Sequence, residues 1–345
     1  MKRHILSVAG IVAATTALAL AGCSGSGSGS TASTGASGDA ASGAAGSSAG
    51  PAGGSYTIGI SQYVTHTSLD AAREGFKAAI EDAGLDVTFD EQNAQGDQAT
   101  VTSIASTFAS GDYDLVLAVA TPSAQAMAQA TTTLPVLFTA VTDPVAAQLV
   151  DSLEAPGGNV TGTTDMNPVA DQIGLVTQLV PDAKTVGIVY SSGEVNSEVQ
   201  VELAKKAAAA EGLTVKEATV TNSSEVQQAA QSLGDVDAIY IPTDNVVVSA
   251  LSSVLQVAES AQIPVIAGEA DSVRNGAVAT YGIDYTELGR QTGEMAVKIL
   301  TEGADPATLA VEQQSTFALT VNTTAAAAMG VTIPDDLLAK ATVVE

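Results

Sequence analysis

Short apolar runs of strand length alternate with stretches of helical spacing along most of the chain. Each run ends at a cluster of Gly, Pro, Asn, Asp, Ser or Thr, and a segment with helical periodicity follows it. This β-α-β-α order predicts parallel sheets with right-handed crossovers. In the first half the predicted strands are Tyr56–Gln62, Val87–Asp90, Leu115–Ala120 and Pro135–Val141.

A segment rich in Pro and Gly, Ala155–Gly162, interrupts this order, and the pattern then restarts. The second half repeats the architecture of the first half without repeating its sequence. We therefore predict an α/β protein with two doubly wound parallel-sheet domains. The predicted strands of the second half are Thr185–Tyr190, Leu213–Val220, Ala238–Ile241, Ile263–Ala267 and Val278–Tyr281, with a late strand at Phe317–Val321.

Polar turns follow the strands at matching places in the two halves. The strand ending at Ile241 is followed by Pro242 and then by Thr243, Asp244 and Asn245, after which a helical pattern begins. The first half has a similar turn, Thr121-Pro122-Ser123. In open α/β sheets, ligands bind outside the carboxyl ends of the strands. The pattern predicts two domains that close on one small ligand.

The predicted strand ends and helix starts carry mostly neutral hydrogen-bonding groups and a few carboxylates. Each has a local explanation as well, because such side chains cap helices and turns. Their clustering on one predicted edge favours a binding site. The candidate ligand-binding residues are Gln62, Thr65, His66, Asn93, Gln95, Thr121, Ser123, Thr142, Asp143, Ser191, Ser192, Asn196, Thr243, Asp244, Asn245, Glu269 and Tyr281.

The candidate residues suit a zwitterion. Helix N-terminal N–H groups and hydroxyls, as at Thr121 and Ser123, suit a carboxylate. The carboxylates Asp143, Asp244 and Glu269 suit a cationic group. We therefore predict an amino acid ligand, with its ammonium group on Asp244.

Catalytic patterns are scarce. The chain has two histidines, His4 and His66, and shows neither a Gly-x-Ser-x-Gly elbow nor a phosphate-binding Gly-x-x-x-x-Gly-Lys loop. The sequence therefore predicts a binding protein rather than an enzyme, with no metal and no cofactor. A formal net charge of −26 argues against nucleic acid as a partner.

The N-terminus has the pattern of an export signal. Lys2 and Arg3 precede an apolar run, and small residues lead to Cys23, the single cysteine. This stretch resembles the lipobox of bacterial lipoproteins, which implies a signal peptide over 1–22 and a lipidated Cys23. Residues 23–54 are rich in Gly, Ser and Ala and predict a flexible tether. The expected location is the outer face of the cell membrane, with the lipid as the membrane contact.

Seven runs of the chain carry a family resemblance: Asp90–Asp97, Ala120–Gln125, Phe138–Pro144, Pro156–Gly162, Ile241–Asn245, Ile266–Glu269 and Ala279–Tyr285. Together they resemble the ABC-transporter substrate-binding lipoproteins, in the branch called tryptophan- or tyrosine-binding. The resemblance covers residues 55 to about 330 and implies a type I periplasmic-binding-protein fold. The first loop, Val64–Ser68, departs from the family's Glu and Pro around the histidine.

The resemblance also implies an organisation and partners. Crossings between the domains are expected near Gly162, Asp284 and Ala310, joining the domains through a multi-strand hinge. Domain 1 is then 55–162 plus 285–310, and domain 2 is 163–284 plus 311–345. The implied partners of the monomeric protein are an ABC permease with its ATPase and an aromatic or apolar amino acid. The alternatives are a sensor lipoprotein, or a receptor for a purine or a peptide fragment.

Overall fold

The computed structural model describes residues 54–345. The predicted signal peptide, Cys23 and nearly all of the predicted tether lie outside the described residues. Within 54–345, no helix is long and apolar enough to cross a bilayer.

The first sheet has six strands, and all of its neighbouring pairs are parallel. They are β1 (Tyr56–Gln62), β2 (Val87–Asn93), β3 (Leu115–Val119), β4 (Val136–Val141), β5 (Val160–Thr164) and β11 (Glu312–Gln313). Their order across the sheet is β11-β5-β4-β3-β1-β2. The strands β3, β4 and β5 are buried along their whole length, as expected for a parallel sheet covered by helices on both faces.

The second sheet has seven strands. They are β6 (Thr185–Ser191), β7 (Thr214–Val220), β8 (Ala238–Ile241), β9 (Val265–Ala267), β10 (Ala279–Gly282), β12 (Ala318–Asn322) and β13 (Thr342–Val344). Their order is β13-β12-β10-β9-β8-β6-β7. The prediction of an α/β fold with two sheets is confirmed. One pair departs from the parallel pattern, since β10 and β12 run antiparallel.

Twelve α-helices accompany these strands in the described residues. They are α1 (Thr67–Asp82), α2 (Gln98–Ser110), α3 (Thr121–Ala130), α4 (Val169–Leu179), α5 (Val195–Ala210), α6 (Val226–Ser232), α7 (Asn245–Ser249), α8 (Leu251–Ala261), α9 (Ala270–Arg274), α10 (Tyr285–Glu302), α11 (Thr323–Ala328) and α12 (Asp335–Leu338). Acidic side chains cap several of them. The Asp97 carboxylate accepts from Thr100 N–H at the start of α2, and the Asp284 carboxylate accepts from Thr286 N–H at the start of α10.

Helix α10 follows a strand of the second sheet but packs against α1, beside the first sheet. Three glycines allow this close approach. A Cβ atom at Gly289 would lie 1.8 Å from the Ala72 carbonyl oxygen, and one at Gly75 would lie 2.1 Å from the Thr286 carbonyl oxygen. Gly293 meets the Phe76 carbonyl oxygen in the same way. The absence of side chains at these positions brings the two helices together.

We call the first sheet with α1–α3 and α10 the first lobe, and the second sheet with the other helices the second lobe. Each lobe has its own apolar core. The chain crosses between them at residues 165–168, 283–284 and 314–317. The predicted boundaries at 162/163 and 310/311 fall a few residues earlier. The segment after residue 310, predicted to lie in the second domain, is divided: Glu312 and Gln313 pair with β5, and β12 pairs in the second sheet.

Candidate functional site

The carboxyl ends of the strands of the two lobes face each other across a narrow cleft. Ser68 Oγ of the first lobe donates to Glu269 Oε2 of the second lobe at 2.8 Å. The hydroxyl oxygens of Thr142 and Thr243 lie 3.5 Å apart across the same cleft. Polar residues from both halves that the sequence predicted as candidates, such as Thr142 and Thr243, are therefore in contact.

A small cavity of about 10 Å³ lies inside this cleft, which is about the space that one water molecule needs. A larger outer cavity of about 380 Å³ adjoins it at the edge of the cleft. His66, Val248 and Glu269 line both cavities. The inner cavity is lined by His66, Leu69, Ala140, Asp165, Asn196, Thr243, Asn245, Val248, Glu269 and Tyr285.

The turn from β3 into α3 holds unpaired hydrogen-bond donors. The hydroxyls of Thr121 and Ser123 are fully buried and make no hydrogen bond within residues 54–345. The backbone N–H groups of both residues are also free of partners there, and Pro122 has none to offer. The preceding residue, Ala120, has a φ of 79°, a strained value for alanine. A helix N-terminus with free hydroxyls suits an anion such as a carboxylate.

Two side chains that do line the inner cavity also have unpartnered buried atoms, His66 Nδ1 and Asn196 Oδ1. Burial lowers the pKa of the His66 imidazole to about 4, so the ring is neutral at pH 7. The first lobe therefore contributes His66, and the second lobe contributes Asn196, to a cleft with spare hydrogen-bonding capacity.

Asp165 is a cleft residue that the sequence analysis missed. It follows β5 directly and lines the inner cavity. Its carboxylate accepts from Thr142 Oγ1 at 3.0 Å and from Tyr285 Oη at 2.7 Å. No Lys or Arg of the described chain forms an ion pair with it, and burial raises its pKa. The sequence analysis missed it because it treated Ala155–Gly162 as an interruption, whereas the structure forms β5 over Val160–Thr164.

Asp244, predicted to hold a ligand ammonium group, is fully buried and lies outside the cavity lining. Its carboxylate accepts from Val247 N–H at 2.7 Å, from Ser191 N–H at 2.6 Å and from Ser197 Oγ at 2.6 Å. Both oxygens are thus occupied by donors of the second lobe itself. The geometry gives Asp244 the role of a cap and a clamp between turns, and it does not support contact with a ligand.

Glu194 is a second missed acid, and it holds the turn around Asn245. Its Oε2 accepts from the side-chain amides of Asn196 and Asn245, and its Oε1 accepts from Val246 N–H. Burial raises its pKa. Glu269 is likewise held by donors: Ser272 N–H, Asp271 N–H and Ser68 Oγ. Burial raises its pKa too.

The other candidates are distributed around the cleft rather than inside it. Gln62 donates to Asp70 and accepts from Arg73, which fixes the side chain within the first lobe. Asp143 caps its own turn by accepting from Val145 and Ala146 N–H. The candidates that do not line the inner cavity are Gln62, Thr65, Asn93, Gln95, Thr121, Ser123, Thr142, Asp143, Ser191, Ser192, Asp244 and Tyr281. Thr142 is nevertheless bonded to Asp165, and Thr65 lines the outer cavity.

Comparison with known proteins assigns the chain to a family. The family model described as ABC transporter substrate binding protein matches residues 57–345. The chain belongs to this family. Its members are extracytoplasmic solute-binding proteins rather than enzymes. This substrate-binding protein is 48% identical over 248 residues to a tyrosine-binding protein of Clostridioides difficile, covering 70% of this chain and 72% of that protein.

Two solved structures make an informative pair. An ABC domain from Streptococcus pneumoniae in complex with L-Trp has a TM-score of 0.82 and 38% identity, covering 85% of this chain and 100% of the other. A ligand-free, open structure of a substrate-binding protein from Clostridium difficile has a TM-score of 0.64 and 44% identity, covering 84% and 99%. The more similar sequence thus has the less similar structure. The TM-score is higher against the L-Trp complex than against the open, ligand-free structure. Several solute-binding proteins below 20% identity share the type I periplasmic-binding-protein fold.

Proposed function

We propose that this substrate-binding protein binds an aromatic L-amino acid in the cleft between its lobes, as the receptor of an ABC importer. The proposal is supported by two features of the first lobe: unpartnered buried hydroxyls at Thr121 and Ser123, and a buried carboxylate without a cation at Asp165. The two groups are complementary to the two charges of a zwitterion. The names of the tyrosine-binding relative and of the L-Trp complex support an aromatic side chain.

In this proposal the ligand carboxylate lies at the N-terminus of α3. It accepts from the hydroxyls and free N–H groups of Thr121 and Ser123, where the helix dipole also favours a negative charge. Charge-assisted hydrogen bonds of this kind are stronger than neutral ones.

The ammonium group is assigned to Asp165. Among the residues that line the inner cavity, Asp165 and Glu269 are the two acids. Glu269 already accepts from Ser68, Asp271 and Ser272, whereas Asp165 accepts from two hydroxyls and has capacity for a further donor. An ammonium group at Asp165 would neutralise a carboxylate that burial makes costly. The sequence-based assignment to Asp244 is replaced by this one.

Binding requires the lobes to separate and close again. The inner cavity of about 10 Å³ is far smaller than an amino acid, and contacts such as Ser68 to Glu269 close its border. The three crossings at 165–168, 283–284 and 314–317 are short and can act as a hinge.

A thermal-shift screen of the twenty L-amino acids, with a purine and a dipeptide as competitors, tests the proposal. A ligand at 100 times its dissociation constant adds about 2.7 kcal/mol to the free energy of unfolding. We expect tyrosine or tryptophan to give the largest rise in melting temperature. Stabilisation by the purine or the dipeptide, and by no amino acid, would contradict the proposal.

We also propose that Cys23 carries the lipid anchor and that the bound ligand is delivered to a membrane permease. The support is the basic, apolar and small-residue pattern up to Gly22, together with the family. A Cys23→Ser variant is expected to leave the membrane fraction while keeping its ligand affinity. If the variant stays with the membrane as the parent does, the anchor lies elsewhere.

A further inference from the structure

The hydrogen bonds around the second-lobe turn fix the orientation of two amide side chains. Asn196 Nδ2 donates to the Thr243 backbone oxygen at 3.1 Å, and a carbonyl oxygen can act only as an acceptor. This fixes which end of the Asn196 amide is the NH₂ group and leaves Oδ1 facing the cleft without a partner.

The same logic extends to Asn245. Glu194 Oε2 accepts hydrogen bonds from the Asn196 side-chain amide, whose orientation is now fixed, and from the Asn245 backbone N–H. The Asn245 side-chain amide is also in contact with it. Since the Asn196 amide and the Asn245 backbone N–H both converge on this oxygen, it accepts even if the carboxyl group carries a proton on Oε1. Asn245 therefore turns its Nδ2 to Glu194 and its Oδ1 to His66, where Oδ1 lies 3.5 Å from Nε2.

This arrangement decides the tautomer of His66. Asn245 Oδ1 can only accept, so the imidazole proton lies on Nε2. Nδ1 then carries a lone pair, is buried, and has no partner within residues 54–345. His66 also lines both the inner cavity and the outer cavity of about 380 Å³, which has room for the end of a long side chain.

We propose that His66 is a specificity-determining residue: its bare Nδ1 selects aromatic amino acids whose side chain brings a hydrogen-bond donor, the phenol of tyrosine or the indole N–H of tryptophan. The inference rests on the proposed function and names the ligand class more narrowly. In the proposed function the ligand carboxylate lies at α3 and the ligand ammonium group at Asp165. The end of the ligand side chain is then the part that can contact His66. A phenylalanine ring would cover Nδ1 and leave the acceptor buried and unsatisfied.

Matched ligand pairs test the selection. Titration calorimetry of the full chain is done with tyrosine against phenylalanine, and with tryptophan against 1-methyltryptophan. One of the two pairs will bind more tightly than the other. Within that pair, the ligand with the donor should bind about 10- to 100-fold more tightly than the ligand without it, which is the range for one unsatisfied buried polar group. Phenylalanine is the more apolar molecule of its pair, so burial alone would favour it over tyrosine.

Two variants separate the acceptor from the bulk of the ring. His66→Asn keeps an acceptor oxygen close to the position of Nδ1 and should retain part of the preference. His66→Leu has no acceptor and should bring the ratio within about threefold of unity. The His66 side chain makes no capping hydrogen bond to α1, so both variants are expected to keep the melting temperature of the empty parent within a few degrees.

The tautomer is measured separately by ¹⁵N NMR of histidine-labelled protein. A His4→Gln variant leaves His66 as the one imidazole of the chain. We expect a neutral ring at pH 7 with the proton on Nε2, and a change in the Nδ1 shift when the ligand is added.

Each contrary result has a distinct meaning. Equal binding of both members of a pair overturns the selection, and a preference that survives in His66→Leu assigns it to another group. A proton on Nδ1 in the NMR spectrum overturns the proposal even if no ligand is found. If no amino acid binds at all but the Nε2 tautomer is observed, the proposed function fails, and the selection of aromatic donors falls with it.

Discussion

Two turns with similar sequences behave in opposite ways in this protein. Thr121-Pro122-Ser123 leads from β3 into α3, and Thr243-Asp244-Asn245 leads from β8 into α7. In the first lobe the turn hydroxyls are buried without partners. In the second lobe the Asp244 carboxylate is occupied by three donors of its own lobe. Four of the five unpartnered buried side-chain atoms within 54–345 belong to the first lobe: Ser61, His66, Thr121 and Ser123.

The contrast distinguishes polar groups that are available to a ligand from polar groups that stabilise the fold. Unpaired buried polar atoms cost stability unless a ligand pairs with them, so they mark where a ligand is expected. A turn whose polar atoms are already paired is stable by itself and offers little to a ligand. In the proposed function, the first lobe would therefore provide most of the contacts to the ligand, and the second lobe would close over it.

The largest expected effect is on affinity at Asp165. Asp165→Asn removes the proposed ammonium partner, which should weaken ligand binding by about 2–5 kcal/mol, or 30-fold and more. The empty protein should be as stable as the parent or more stable, because burial disfavours the Asp165 carboxylate. Calorimetry and thermal melting measure the two quantities.

The matched control is Asp244→Asn, the same chemical change in the second lobe. It should change affinity less than about threefold, because donors of the second lobe already occupy both Asp244 oxygens and Asn also caps helices well. A greater loss of affinity in Asp244→Asn than in Asp165→Asn would restore the sequence-based assignment and break the comparison of the lobes.

The second effect concerns the turn before α3. The double variant Thr121→Val with Ser123→Ala should bind the ligand about 10- to 100-fold more weakly. The two hydroxyls together are expected to contribute about 1.5–3 kcal/mol, because the N–H groups of the turn remain as donors. Its melting temperature without ligand should not fall, since neither hydroxyl has a partner to lose. A destabilised variant with unchanged affinity would place these hydroxyls in the structure rather than in the site.

The third prediction concerns the second lobe, where a loss of stability without a loss of affinity is expected. Asp244→Ala removes the cap of α7 and leaves the N–H of Ser191 and the hydroxyl of Ser197 without their acceptor. The free energy of unfolding should fall by about 1–3 kcal/mol. Urea denaturation measures this loss, and affinity at a temperature where the variant is folded should stay within about threefold. Unchanged stability would contradict the clamp role.

The smallest expected effect is a dependence of stability on pH. Burial raises the pKa of Asp165, Glu194, Asp244 and Glu269 above the ordinary values for their side chains. Acids with a raised folded pKa contribute stability below their unfolded pKa, and that contribution is lost as the pH rises towards the folded value. The empty protein should therefore be more stable at pH 5 than at pH 8.

The variant Glu194→Gln should reduce this difference. The control is Glu198→Gln, which removes an exposed charge from the first turn of α5, directly after Glu194. Urea denaturation at both pH values gives the comparison. If the two variants have the same pH dependence, general charge repulsion explains the effect and the buried Glu194 does not.

Local pattern was sufficient for much of the fold. Apolar runs of strand length followed by Gly-, Asn- or Asp-rich turns predicted most of the strands of both sheets, because strand and turn preferences depend on near neighbours. The same pattern placed Thr121, Ser123, His66 and Asn196 at strand ends and helix starts, and all four hold an unpartnered buried atom. The two-residue strand β11 was beyond such reasoning, since two residues carry no periodicity.

The roles of the acids were decided by tertiary structure alone. A cap and a ligand-binding carboxylate look alike in sequence, because both stand between a strand and a helix. What distinguishes them is how many donors reach each oxygen, and those donors come from far along the chain: Tyr285 reaches Asp165 across 120 positions, and Ser191 reaches Asp244 across 53. The sequence alone indicated an edge lined with polar groups. In the folded protein the oxygens of Asp244 accept three hydrogen bonds, whereas those of Asp165 accept two and can accept another. Only the packed lobes bring these distant donors within hydrogen-bonding distance.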